Sequence, residues 1–186
     1  MKDFLNQARK FAYDEVERTG MPLKFHVDLA CEVGRRLAKE LGADANIVEI
    51  GTLLMDCQIG QALIEGCLSD HIKMSHDKAE ELLKTTSLSS KNEENIRHCI
   101  LEHHGADKFY SLESEICCNA DCYRFTSVRG FSYAMRYMRE MPFLDLIKLL
   151  ESKLKEKWGL VSLDICKKEL AHQHDLIENF LKELKP

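Results

Sequence analysis

Six histidine and aspartate residues could hold a metal ion, because imidazole and carboxylate bind divalent ions such as Mn²⁺ and Fe²⁺ without any thiolate. In chain order they are His26, Asp56, His76, His103, His104 and Asp121. Apart from the adjacent pair His103 and His104, each lies in a different predicted helix, and a helical bundle can direct such side chains to one point. A single histidine beside apolar residues usually has no ligand role, so the metal hypothesis depends on the order and context of the whole set.

The elements that must position these residues are helices. Apolar residues recur at helical spacing along almost the whole chain, with only 3 prolines and 9 glycines. No alternation typical of β-strands is present, so we expect an all-α fold. The pattern predicts helices over 2–18, 24–41, 45–56, 76–85, 92–104, 112–127, 130–140, 142–157 and 164–184. The mixed segment 57–74 is predicted to be a loop that contains one short helix.

Glycine and polar residues predict where these helices begin and end. Gly42 predicts the C-terminal end of the second helix, and Asp44 predicts the N-cap of the third. The third helix would then end at Asp56. Ser75 predicts the N-cap of a later helix, which His76 would open.

Length and composition favour one domain over 1–186. Its core would cover about residues 20–125, and 142–186 would form a helical extension packed on it, with Pro142 as the only plausible subdomain boundary. The formal net charge of −5 argues against nucleic acid or an anionic membrane surface as the main partner.

The compartment is predicted from the N-terminus, the apolar segments and the cysteines. The first ten residues, MKDFLNQARK, are polar and charged, which does not predict a signal peptide. No segment approaches the length of apolar residues that a membrane span needs. The 8 cysteines form no C-x-x-C pair and mostly stand among helix-forming apolar residues, which favours buried thiols in a reducing compartment over a cysteine metal site. We therefore expect a soluble, cytoplasmic protein.

Five segments carry a resemblance to a known family. They are HVDLACEVGRRLAKELGAD (26–44), GTLLMD (51–56), SHDKAEELL (75–83), ILEHHG (100–105) and ICCNAD (116–121). In this order they resemble the HD superfamily of metal-dependent phosphohydrolases, over roughly residues 20–125. Within it, the sequence is most similar to members with additional histidines and two metal ions, including dinucleoside tetraphosphate hydrolases.

The resemblance implies a compact helical bundle of the HD-domain type with a C-terminal helical extension. It implies hydrolysis of a phosphoester or phosphoanhydride, in a nucleotide-like small molecule, with one or two divalent transition-metal ions drawn from Fe, Mn, Ni, Co or Zn. One ion would take His26, Asp56 and Asp121. A second would take His76 with His103 or His104, and Asp56 would bridge the two ions.

The sequence departs from the family at the doublet that names it, which reads Met55-Asp56 instead of His-Asp. A neutral thioether is a poor ligand for a hard or borderline divalent ion. This departure supports an alternative, a degenerate module that binds a nucleotide or a partner without catalysis. His71 is a spare imidazole that could substitute for the missing ligand, although a surface-loop position is the favoured interpretation.

In a catalytic protein, Asp56 would bridge or orient the metal ions, and the unligated member of the pair His103 and His104 would assist as an acid or base, or hold a phosphate oxygen. Arg124 follows Asp121 by three residues and could clamp a substrate phosphate with its guanidinium. The amphipathic C-terminal helices could pair across a homodimer, although helices of this kind more commonly pack on their own core.

Overall fold

The computed structural model describes residues 1–185, and within that range it contains ten α-helices, one 3-10 helix and no β-strand. The helices are α1 Lys2–Thr19, α2 Lys24–Leu41, α3 Ala45–Leu54, α4 Ile59–Glu65, the 3-10 helix Leu68–Asp70, α5 His71–Leu83, α6 Ser90–Leu101, α7 Leu112–Thr126, α8 Val128–Tyr137, α9 Phe143–Leu160 and α10 Asp164–Glu183. The all-α prediction is confirmed.

The chain divides into two compact units, Met1–Ala120 and Asp121–Pro186. The division lies inside α7, not at Pro142, which directly precedes the first residue of α9. The expectation of one domain with a packed extension stays a prediction.

The centre of the first unit is α3, whose residues Ile47 to Leu54 are all buried. A helix that is apolar on every side must be covered on every side, and α3 packs against α1, α2 and α6. Its one charged residue, Glu49, accepts hydrogen bonds from Arg9 of α1 and from Arg35 of α2, the latter at 2.8 Å. The buried helix α3 ends next to Met55 and leads directly to Asp56, in the turn that follows it.

Two predicted boundaries around α3 are confirmed. Gly42 ends α2 in the left-handed conformation, with φ at 75°. The Asp44 side chain caps α3 by accepting hydrogen bonds from the backbone N–H groups of Asn46 at 2.9 Å and Ile47 at 3.3 Å.

The start of α5 differs from the prediction. Ser75 does not cap this helix; α5 begins at His71, five residues before the predicted start at His76, and Ser75 is buried one turn inside it. The Ser75 hydroxyl instead accepts a hydrogen bond from the backbone N–H of Gln58, 3.1 Å away in the turn that follows α3. The Ser75 hydroxyl oxygen, which the sequence predicts as a helix cap, therefore makes a tertiary contact instead.

The second unit has an apolar core of its own, formed by α8, α9 and α10. The amphipathic faces of these helices meet one another, as is usual for such helices. The buried residues of this core are Phe131, Ala134, Leu146, Ile147, Leu150, Leu154, Ile177 and Leu181.

One stretch of the described residues, Ala45–Glu65, has the length and hydropathy of a membrane span. This differs from the prediction that no segment is long and apolar enough to cross a membrane. However, 78% of its most apolar window is buried inside the protein, as in the core helix of a soluble domain, and α3 and α4 are separated by a turn within it. The stretch is therefore weak support for a membrane span.

Candidate metal centre

Four side chains in the first unit form a group that could hold a metal ion: Asp56, His71, His103 and His104. Each offers one ligand atom, and these atoms all lie within 4.8 Å of one another. Asp56, His71 and His103 are buried, whereas His104 is partly exposed. One carboxylate and three imidazoles make a ligand set suited to divalent transition metals.

Helix ends bring these residues together. Asp56 lies in the turn between α3 and α4, and His71 is the first residue of α5. The pair His103 and His104 lies in the turn that follows α6. Because α3 packs against α6 and α5, the positions of these ends depend on the buried helix α3.

The orientation of two of the histidine rings is set by backbone carbonyl groups. His71 Nδ1 lies 2.7 Å from the carbonyl oxygen of Leu68, and His103 Nδ1 lies 2.7 Å from the carbonyl oxygen of Ile100. A carbonyl oxygen can only accept, so Nδ1 carries the hydrogen in both rings. In the neutral form, each ring then presents an Nε2 lone pair, as metal-binding histidines commonly do.

Both Nε2 atoms face the same buried carboxylate oxygen. His71 Nε2 lies 3.4 Å and His103 Nε2 3.3 Å from Asp56 Oδ1. Lone pairs on nitrogen and oxygen repel one another in a buried site unless a cation, either a proton or a metal ion, stands between them. Ligand atoms about 2.1 Å from one tetrahedral ion lie roughly 3.4 Å apart, so the observed spacing fits a metal ion.

His103 is the most enclosed member of the group. Its side chain is 0% exposed, and among the described residues its Nε2 makes no hydrogen bond. The ring centroid of His104 lies 4.3 Å from that of His103 and 5.2 Å from that of His71. His104 therefore lies beside the buried ligands, at the solvent-facing side of the group.

The structure does not bring His76 into this group. Its side chain is 24% exposed, with Nδ1 3.4 Å from Asp77 and Nε2 3.9 Å from Glu80. His71, for which a surface loop had been favoured, is buried and takes the position expected for His76. The signal that identifies His71 is the four-residue spacing of the buried face of α5, which runs from His71 through Ser75 and Ala79.

Two further predicted residues of the first unit are also buried. His26 lies near the start of α2, and Met55, at the position of the missing doublet histidine, is the C-cap residue of α3. Neither is one of the four side chains that form the group. The ligand role of His26 stays a prediction.

Asp121, the predicted closing ligand, lies in the second unit and is 0% exposed at its side chain. Its Oδ1 accepts a hydrogen bond from Arg124 Nη1 at 2.7 Å, and its Oδ2 lies 2.6 Å from Lys157 Nζ. Arg124, the predicted phosphate clamp, is thus directed at Asp121 and is itself buried. Both roles stay predictions.

Lys157 is a buried charged residue that the sequence analysis missed. Burial opposes its charge, but the attraction of the Asp121 carboxylate outweighs this, and the pKa of Lys157 is raised. The available signal was its register, since Leu150, Leu154 and Lys157 follow one another at helical spacing on the buried face of α9.

Neither a protein-family model nor a curated protein matches this sequence. Solved structures do match. A Lactobacillus plantarum protein has a TM-score of 0.72 at 19% identity, covering 98% of this chain and 95% of its own. Bacillus subtilis YpgQ in complex with ADP has a TM-score of 0.69 at 17% identity, covering 98% and 93%. A predicted HD superfamily hydrolase from an uncultured Thermotogales bacterium has a TM-score of 0.66 at 16% identity, covering 98% and 90%.

These similarities extend over nearly the whole chain, although the sequences have diverged widely. They show that the protein has the fold of the HD superfamily, as the sequence motifs implied. Fold alone does not define an activity, which must be argued from the site.

Proposed function

We propose that this protein is a metal-dependent phosphohydrolase that holds a divalent transition-metal ion at Asp56, His71, His103 and His104. The observation that supports this proposal is the pair of buried Nε2 atoms directed at Asp56 Oδ1, with both Nδ1 atoms bonded to backbone carbonyls. A cluster of this kind is costly to bury without a cation.

Each residue has a distinct task in the proposed reaction. Asp56 supplies the negative charge that balances the cation, and His71 and His103 hold it from two different helix ends. Partly exposed His104 lies where it can accept or donate a proton during hydrolysis, or complete the ligand set. A bound metal ion would supply polarisation of a phosphoryl oxygen and acidification of water.

The proposed substrate is a phosphoester or phosphoanhydride in a small, nucleotide-like molecule. The structural similarity to YpgQ in complex with ADP supports a nucleotide. The net charge of −5 gives no support to nucleic acid or a membrane surface as partner. All eight cysteines are free thiols, which supports a reducing, cytoplasmic location. Homodimer formation through the C-terminal helices is a further hypothesis.

The second candidate is a non-catalytic module that binds a nucleotide or a partner. It is favoured by Met55, which is buried at the position where the doublet of the superfamily has histidine. This candidate would keep the helical fold, and would use the site for binding alone.

Metal content and turnover test the proposal together. Protein purified without chelator, with iron kept reduced, is expected to hold about one transition-metal ion per chain and to hydrolyse generic phosphoesters only when metal is present. Asp56→Asn should abolish both, whereas Asp77→Asn, at an exposed carboxylate on α5, should leave both unchanged. Turnover retained in Asp56→Asn would refute the assignment. Thermal stabilisation by nucleotides without turnover would support the binding module.

A further inference from the structure

Asp121 lies beside two basic side chains of the second unit. Its two carboxylate oxygens are divided between them: Oδ1 is 2.7 Å from Arg124 Nη1, and Oδ2 is 2.6 Å from Lys157 Nζ. The side chains of Arg124 and Lys157 are only 9% and 4% exposed. Both cations therefore interact with the carboxylate in a region largely closed to water.

The burial of the Lys157 ammonium group costs free energy. Lys157 continues the buried face of α9 after Ile147, Leu150 and Leu154, where an apolar residue would be expected. Lysine is almost never buried unless it is paired, because its ammonium group must be desolvated. The close approach to Asp121 is the interaction that compensates for this burial.

The net charge of the groups around Asp121 determines whether a metal ion would also be favoured there. The Glu156 carboxylate also lies 3.6 Å from Lys157 Nζ, so two carboxylates and two cations sum to a net charge of zero, and the charge of Asp121 is already balanced. A divalent ion at the same carboxylate would raise the sum to +2 in a low-dielectric region, where like charges repel strongly.

We infer that Lys157 Nζ takes the place of a divalent ion at Asp121, so that Asp121 is a buried structural charge and the protein holds a single metal ion, at Asp56. The inference that only one metal ion is bound rests on the proposed function, whereas the pairing of Asp121 with Lys157 does not. Met55 is consistent with it, because the ion that the family resemblance assigns to Asp121 has also lost its doublet histidine.

A double-mutant cycle tests the pairing. Lys157→Met, which keeps the apolar stem, leaves a buried carboxylate with one cation fewer and should lower the melting temperature by roughly 6–20 °C. Adding Asp121→Asn should recover at least half of that loss, since the amide can still accept a hydrogen bond from Arg124. The exposed pair Lys10 and Asp14 is the matched control, and its cycle should be additive. Additivity in the Lys157 cycle would overturn the inference.

Mn²⁺ titration of the same proteins tests the metal count. Wild type and Asp121→Asn should each bind about one ion with affinities within roughly threefold, and Asp56→Asn should bind none. A wild type that binds two ions, or loss of an ion in Asp121→Asn, would overturn the inference and leave the proposed metal centre standing. A wild type that binds no ion would overturn both the proposed function and the inference that only one metal ion is bound, and the double-mutant cycle would then decide the pairing alone.

Discussion

The exchange of His76 for His71 in the ligand set can be tested with a pair of matched substitutions. In His71→Asn, the asparagine amide can replace Nδ1 as the donor to the carbonyl of Leu68, while the atom corresponding to Nε2 is removed. The substitution therefore deletes a ligand and keeps the hydrogen bond that orients it. His76→Asn is the control, because the structure places His76 outside the group.

The size of the effect follows from the position of the lost atom. His71 Nε2 lies 3.4 Å from Asp56 Oδ1 and is one of the four atoms of the group that could hold a metal ion. Loss of an outer-sphere partner of a metal site commonly weakens metal affinity 10–100-fold, so loss of a direct ligand should weaken it at least about 100-fold, or about 2.7 kcal/mol. The fold should lose only about 1 kcal/mol, since the bond to Leu68 is retained.

The assay is calorimetric titration of Mn²⁺ into apoprotein, with circular dichroism to show that both variants are folded. We expect the dissociation constant to rise at least about 100-fold in His71→Asn and to stay within about twofold of wild type in His76→Asn. The reverse pattern would show that the grouping of His71 with Asp56 is wrong. Equal losses in both variants would indicate a general effect on the fold instead of a ligand.

Two further predictions concern stability. Gly51→Ala should lower the free energy of unfolding in urea by about 1–3 kcal/mol, because a Cβ there would lie 2.5 Å from Cys99 Cβ. The matched control Gly159→Ala has open space at its Cβ and should raise the free energy of unfolding by about 0.5–1 kcal/mol; equal effects would contradict the close approach. Glu113→Gln should cost about 1 kcal/mol near pH 7, because the Glu113 carboxylate accepts a hydrogen bond from the backbone N–H of Asp44 at 2.9 Å. Although burial opposes its charge, this bond and others lower the pKa of Glu113. The difference in unfolding free energy between wild type and Glu113→Gln should therefore be full above about pH 4.5 and shrink as the pH falls through the folded pKa. A difference unchanged near pH 3 would contradict the ionic contribution.

Local patterns were sufficient to predict most of the helical framework. Helical spacing of apolar residues identified α2 with both ends correct, and Asp44 capped α3 as predicted. These features depend on residues within a few positions of one another, so no knowledge of distant contacts is needed. The motif order likewise implied the HD-type fold that the solved structures show.

The ligand set could not be predicted in the same way. The local capping rule made Ser75 a helix start and left His71 in a loop, but in the folded protein the Ser75 oxygen binds the backbone of Gln58 and α5 begins at His71. In the folded protein His71, and not His76, lies in the group with Asp56. The contact that uses the Ser75 oxygen joins residues 17 positions apart, which a local capping rule does not include.

The charged residues of the second unit show the same difference between what the sequence predicts and what the folded structure decides. The family resemblance identified Asp121, and the three-residue spacing predicted Arg124 on the same helix face; the structure places their side chains together. The sequence could not identify Lys157, 36 positions further on, as the second partner of Asp121 (157 − 121). Sequence alone identified most of the side chains that could do chemistry and the helices on or beside which they lie. Tertiary packing decided which of them meet, because a buried charge is stable only beside partners that folding brings from distant parts of the chain.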